Sequence, residues 1–202
     1  MSDEAGPWRI DAAPDPVVCA RALAAAFARE PAVSWICGAS APVRSHWFEA
    51  TLRAHATLPG ARHRTLRHAD GRPVAAAVLT PPGAAHTAPT RAVWAARTGF
   101  RCGPRALGRT LRYLHLAEAA TPEGAWTLEF IGVLPGMTGR GAGRVLLDHL
   151  LADVPAPGGF YLTTADPANV PLYRHFGFVP VHRTALGPLD ITAMARPGRL
   201  SE

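Results

Sequence analysis

The chain has 202 residues, 48% hydrophobic and 18% charged, with 21 Lys+Arg against 15 Asp+Glu for a formal net charge of +6. That apolar, weakly charged composition excludes a mainly disordered chain, and the length suits one α/β domain or a small pair. No apolar run reaches the roughly 18 residues of a membrane span; the best stretch, 17–28, is short and carries Arg21.

The opening Met1-Ser2-Asp3-Glu4 is acidic where a secretory signal is basic, which predicts a cytoplasmic protein with residues 1–6 flexible. Trp8 to Asp11 reads as a first strand, and Asp15-Pro16 as the cap and first turn of a helix over 17–29, stopped by Glu30 and Pro31. A second helix is predicted over 42–58, where Val43, Trp47, Ala50 and Ala54 recur at helical spacing. Strands over 62–69 and 73–80 flank Asp70-Gly71, a pair that suits a type I′ hairpin turn. The stretch from Pro81 to Thr121 is the least regular and predicts two short helices. Arg97, Arg101, Arg105 and Arg109 fall four apart there, as a solvated face or as a substrate or partner surface, although Gly99, Gly103, Pro104 and Gly108 argue against one continuous helix.

The C-terminal half alternates strand, helix, strand, helix and two strands, which predicts one mixed α/β domain over 1–202. Trp126 to Val133 is a β-prone run followed by Thr138-Gly139-Arg140-Gly141-Ala142-Gly143, and then by a helical stripe of Val145, Leu146, Leu147, Leu150 and Leu151. Glycines at a strand-to-helix junction let the backbone approach a ligand, and first-turn amides with the helix dipole make an anion cradle. Arg140 and Arg144 add positive charge. A P-loop is excluded, because it needs Lys and the chain has none. A Rossmann site wants Gly-x-Gly-x-x-Gly near the first strand, whereas these glycines alternate and come late. A tight turn without ligand stays open for the loop alone.

Phe160 to Thr164 reads as a strand, Asp166-Pro167 as a turn, and Asn169 as the N-cap of a short helix ended by Gly177. Asn169, the only Asn, and Tyr173 are i and i+4 and share a face. By residues alone, Tyr173 is either a functional phenol or a core aromatic beside Phe176 and Phe178. Glu129 is a carboxylate inside an apolar strand with the parity of Ile131 and Val133. It is either a buried base with a raised pKa or the partner of an Arg or of surface donors. Cys19, Cys37 and Cys102 are odd in number and far apart, which predicts buried thiols, and none of nine His residues forms a His-x-x-x-His pair, so no metal is expected. The sequence holds neither Lys nor Gln, so all basic side chains are Arg. Such a bias weakens Arg as a sign of nucleic-acid binding, yet the positive balance favours an anionic partner such as a phosphorylated cofactor.

Three segments together, Leu128-x-Phe130-Ile131-Gly132-Val133-Leu134-Pro135, Gly139-x-Gly141-x-Gly143 and Asn169-Val170-Pro171-Leu172-Tyr173-x-x-x-Gly177-Phe178, resemble the GCN5-related N-acetyltransferase (GNAT) superfamily, most closely its branch that includes puromycin N-acetyltransferase. The motifs span 125–179. The resemblance implies a mostly antiparallel sheet of about seven strands, splayed between the fourth and fifth, with helices on both faces. It implies acetyl-CoA, or another acyl-CoA, in that gap, with pantetheine along Ile131, Gly132 and Val133 and the diphosphate on Thr138, Gly139, Arg140, Gly141, Ala142, Gly143 and Arg144. Asn169 would hydrogen-bond the cofactor and Tyr173 would protonate the departing thiolate, since phenol and thiol titrate near each other. Glu129 would take the amine's proton. Thr138 stands where the family usually has Gln or Arg, and Thr163 where this branch often has Glu, which directs the base assignment toward Glu129 or a bound water. The implied activity is acyl transfer to a primary amine of a small molecule, an antibiotic or a metabolite, by direct attack in a ternary complex. An aminoacyl-tRNA acceptor and a non-catalytic CoA-binding module are the alternatives. No membrane partner is implied, nucleic acid is disfavoured, and a homodimer is compatible with the sequence.

Overall fold

Helix starts in this proline-rich chain follow one local rule. In a computed structural model that describes residues 8–198, α1 (Pro16–Ala26), α2 (Pro31–Cys37), α3 (Ala41–His55), α4 (Ala88–Cys102) and α5 (Pro104–Ala119) each open with a proline in the first turn. Proline's missing N–H costs nothing there, because first-turn amides have no intrahelical acceptor. The side chains of Asp15, Glu30, Ser40 and Thr87 accept hydrogen bonds from the first-turn amides of α1 to α4 in turn. This corrects the reading of Glu30-Pro31 as a plain stop. The helix expected over 17–29 ends at Ala26, and Glu30 then caps α2 by accepting from the Val33 amide at 2.7 Å. The expected flexible segment 1–6 lies outside the described residues.

The two helices expected to be short have 15 and 16 residues, and Gly103, at φ +88°, divides them. The arginine spacing is therefore not one stripe. Arg97, Arg101 and Arg105 are exposed, whereas Arg109 turns inward, donates to the Trp35 carbonyl and lies 4.9 Å over the Trp35 ring.

β1 (Trp8–Asp11), β2 (Arg62–His68), β3 (Pro73–Thr80), β4 (Trp126–Val133), β5 (Phe160–Thr164), β6 (Val179–Leu186) and β7 (Leu189–Arg196) form one seven-stranded sheet in the order β1-β2-β3-β4-β5-β7-β6. Every neighbouring pair is antiparallel except β4 and β5. The β2–β3 turn is not type I′. Gly71 alone has positive φ there, at +83°, the Gly71 amide donates to the His68 carbonyl at 2.9 Å, and the His68 amide donates to the Arg72 carbonyl at 2.9 Å. That is a type I turn closed by a bulged glycine, which needs left-handed backbone at one residue rather than two.

The sheet separates two apolar layers. On one face α6 (Ala142–Asp153) and α7 (Asn169–His175) bury Leu146, Leu147, Leu150 and Tyr173 against Leu79, Leu128, Phe160 and Leu162. On the other, α1, α2, α3 and α5 close over Val78 and Phe130. Phe48 meets Phe130 edge-on at 5.2 Å, and the Trp47 indole donates to the Thr110 hydroxyl at 2.9 Å, tying α3 to β4 and α5. Cys19 and Cys37 are buried and Cys102 is partly so. Among the described residues no helix is long and apolar enough to cross a membrane.

Candidate active site

Strands β4 and β5 pair only at Trp126↔Phe160 and Thr127↔Tyr161. Beyond them β4 continues to Val133 and β5 to Thr164 without a shared ladder. The cause is written in β4's other edge. Its register with β3 shifts between Val78↔Phe130 and Leu79↔Leu128, which leaves Glu129 as an extra, bulged residue. A bulge bends its strand and adds twist, and this one sits just past the last pair with β5. Residues 129–133 are consequently only half-buried although β4 is central in the sheet. Their backbone groups facing the gap are free to meet a ligand.

The bulge also corrects the parity expected for Glu129. Leu128 packs in the same layer as Ile131 and Val133 despite opposite parity, while Phe130 packs in the other. Glu129 itself accepts from the Thr80 hydroxyl at 2.6 Å, so its partner is a threonine rather than an arginine. Ringed by protein, its carboxyl is pushed above the usual range by burial, against the pull of the Thr80 hydrogen bond and with a further push from Glu118.

The glycine loop leads from β4 into α6. Gly139 and Gly141 adopt φ of +77° and +82°, backbone that other residues rarely take, and a Cβ at either would meet nothing within 4 Å. Gly141 is the N-cap of α6 and provides no side-chain cap. Among the described residues the amides of Ala142, Gly143 and Arg144 donate to no acceptor. They therefore point an uncompensated positive helix end at the open space by the loop, which fits the diphosphate of an acyl-CoA. Thr138, Gly139, Arg140 and Gly141 are exposed, and Ala142 is buried. Arg144 leans toward α7, where its guanidinium contacts His175 Nε2 at 2.6 Å and lies 5.9 Å over Phe176. Gly143 lets α6 approach β4, since a Cβ there would come within 3.2 Å of Val133 Cγ2. Gly132 has a packing duty, because a Cβ would meet Ala26 at 2.7 Å.

Across the gap, Asn169 is the first residue of α7, not its N-cap. Asp166 supplies the local acceptor instead, taking the Ala168 amide at 3.0 Å, and Asn169 Nδ2 donates to Thr164 Oγ1 at 3.4 Å. A carboxylate two residues upstream reaches the free amides at this junction better than an amide already inside the helix. Tyr173 is buried against Phe178, with ring centroids 5.9 Å apart. Among the described residues its hydroxyl has no hydrogen-bond partner. Burial raises the phenol above its ordinary value, and the nearby Glu30 and Tyr113 raise it further. The phenol is thus held in its protonated form, with its O–H available as a donor.

Sequence reasoning missed the opposite wall. The Tyr113 hydroxyl bonds Thr163 Oγ1 at 3.0 Å, and burial pushes the phenol up to about 12, with Glu30 and Glu129 contributing. Tyr113 feels the charge of Glu129 and in turn raises Tyr173, so it couples electrostatically to both candidate catalytic residues, which share no hydrogen bond among the described residues. Glu30 is a second, half-buried carboxyl with a raised pKa, caused first by desolvation and last by Asp166. His55 was signalled weakly, as a histidine on the α3 stripe that includes Phe48 and Leu52. Thr80, at the end of an apolar strand, left no signal. No group of three His, Cys, Asp or Glu side chains suited to a metal occurs among the described residues.

The fold has solved relatives. It is similar to a histone acetyltransferase HPA2 and related acetyltransferase from Corynebacterium glutamicum, with a TM-score of 0.70 at 20% identity over 96% of this chain and 98% of that one. A polyamine N acetyltransferase of Drosophila melanogaster matches with a TM-score of 0.57 at 14% identity, covering 93% and 98%. The ribosomal-protein-S18-alanine N-acetyltransferase of Escherichia coli matches at 0.56 and 16%, covering 96% of each chain. At such identities the likeness is one of fold. No curated protein matches the sequence. The sequence profile of the Acetyltransferase (GNAT) family matches residues 43–178, two thirds of the chain, and spans both the parted strands and the glycine loop. With seam, loop and profile in agreement, the chain belongs to the Acetyltransferase (GNAT) family of N-acetyltransferase enzymes.

Proposed function

We propose that this enzyme transfers an acyl group, acetyl from acetyl-CoA, to a primary amine of a small molecule by direct attack within a ternary complex. The observation that carries the reading is the parted β4–β5 seam, with uncapped α6 amides after β4, the half-buried Glu129 on β4 and the buried Tyr173 on α7. Bound acetyl-CoA would supply a thioester-activated acyl group. The amides of 142–144, with Arg140 and Arg144, would hold its diphosphate, the β4 backbone near Ile131, Gly132 and Val133 its pantetheine, and Asn169 a polar group on the same arm. Glu129 accepts the amine's proton, and burial, by raising its pKa, makes it a stronger base than an ordinary carboxylate. Tyr173 donates a hydrogen bond to the departing sulfur and keeps water from that end of the seam. A β4 amide facing the gap near Val133 donates to the oxygen that gains charge.

The test is thiol release from several acyl-CoAs against a library of small amines. Acyl-CoA-dependent release with at least one amine, lost in Glu129→Gln near neutral pH, is expected. Thermal stabilisation by CoA with no amine turned over would refute the reading in favour of a binding module. Activity on an aminoacyl-tRNA that collapses between low and physiological salt would refute the small acceptor.

A further inference from the structure

Behind Glu129 lies a single file of polar side chains running from the β4 bulge to a surface hollow beside β2. His63 Nε2 is 2.8 Å from His55 Nδ1, His55 Nε2 is 2.9 Å from Thr80 Oγ1, and Thr80 Oγ1 is 2.6 Å from Glu129 Oε1. The residues come from β2, the end of α3, the end of β3 and the β4 bulge. The two imidazoles stack with centroids 5.0 Å apart and only 6% and 8% exposed, for His55 and His63. His63 lines a surface hollow with Arg62, Arg64 and Asp153, so the outer end of the file meets solvent.

Building on the reading of Glu129 as the base, we infer that His63, His55 and Thr80 are positioning residues: they form a donor chain directed inward onto one oxygen of Glu129, leaving its other oxygen to the amine. The direction follows from proton counting. An ionised carboxylate only accepts, so the lone hydroxyl hydrogen of Thr80 must go to Glu129. Toward His55 the hydroxyl can then only accept, which puts the His55 hydrogen on Nε2. Burial lowers His55 to about 3, with His63 and His86 adding to the effect, so the ring is neutral and its Nδ1 is bare. His63, lowered to about 4 by burial and then by Arg64, is neutral as well and must donate from its own Nε2. One tautomer of each ring satisfies the file.

The chemical consequence concerns the protonation of Glu129. Burial and the charge of Glu118 favour its neutral form, and the enclosing phenols of Tyr113 and Tyr161, each pushed up to about 12, supply no counter-charge. The Thr80 hydroxyl opposes them by hydrogen-bonding the ionised form, and two neutral rings behind it hold the hydroxyl in the donating direction. Without that direction the balance shifts toward the neutral carboxylic acid, the form that cannot accept the amine's proton.

Two measurements test this. Long-range 1H–15N correlation spectra of histidine-labelled protein at neutral pH should show both rings as Nε2–H tautomers that stay neutral to about pH 5. Nδ1–H on both rings would overturn the inference, because Thr80 would then spend its hydrogen on His55. In the pH profile of kcat/KM, Thr80→Val should move the acid limb up by about one to two pH units, the worth of a hydrogen bond to a charged group, with the KM for acetyl-CoA within about twofold. Thr80→Ser should restore the limb, which mere packing would not. A Thr80→Val profile superimposed on that of the unmodified enzyme, while Glu129→Gln abolishes the limb, overturns the chain and spares the base. An acid limb that survives Glu129→Gln overturns the base and the chain with it.

Discussion

Gly132→Ala probes how closely α1 presses on the strand that forms one wall of the seam. A Cβ at this position would lie 2.7 Å from Ala26 Cβ and 2.8 Å from Phe27 Cε2, against the roughly 3.5–4.0 Å at which carbon atoms pack. Some part must move by about 1 Å. The Phe27 ring cannot simply turn aside, since it is wedged edge-on between Phe48 at 5.6 Å and Phe130 at 5.9 Å. Overpacking of this kind costs about 1–3 kcal/mol. Gly132 is not among the positive-φ glycines, so alanine there suffers no backbone strain and recovers about 0.5–1 kcal/mol of chain entropy. The balance is a loss of roughly 1–2 kcal/mol, which for a domain of this size lowers Tm by about 2–8 °C. Thermal melts of Gly132→Ala, Ala26→Gly and the double variant form a cycle. The double variant should be more stable than the sum of the singles by about 0.5 kcal/mol or more, because Ala26→Gly removes one of the two collisions. A Gly132→Ala protein that melts at or above the unmodified chain would show that α1 does not lie against β4 as described.

Three further outcomes follow from the same geometry. Tyr173→Phe should cut kcat by about 100-fold or more while the KM for acetyl-CoA stays within a few-fold; equal kcat in the two proteins would remove the phenol from the reaction. Thr110→Val strips the buried Trp47 indole of its acceptor, which should cost about 1–3 kcal/mol in denaturant unfolding, and an unmoved midpoint would deny the bond. His55 and His63 are held at about 3 and about 4 in the fold against about 6.5 in the unfolded chain. Between those values the unfolded chain binds more protons. Their contribution is therefore complete above about pH 6.5 and is lost as pH falls toward 4. Tm should drop more steeply over that window in the unmodified protein than in His55→Gln/His63→Gln, and parallel slopes would contradict the buried neutral pair.

Much of the fold was legible because its signals are local. The strand–glycine loop–helix junction at 126–153 needs only neighbours within a turn to declare itself, as do Asn169 and Tyr173 on one short helix. The errors have equally local causes. Glu30-Pro31 reads as a stop by proline's effect inside a helix and as a start by its effect at the first turn, and only the burial of Ala32, Val33, Ile36 and Cys37 decides for the start. Asp70-Gly71 permits two turn types, and the register of the flanking strands selects the one with a single left-handed residue.

From its residues alone the chain determines most helix caps, which runs are strands, and that a glycine-rich loop joins the fourth of them to a helix, since capping, φ preference and periodicity act over a few residues. Which face Glu129 occupies was settled only in three dimensions, because one bulged residue reverses the two-residue alternation and depends on how β3 and β4 align. The parting of β4 from β5, and the meeting of His55, Thr80 and Glu129 across separations of 25 and 49 residues, likewise exist only after the layers pack. Hydrogen-bonded contacts between distant segments are chosen by the fit of whole surfaces, and no window of sequence contains that fit.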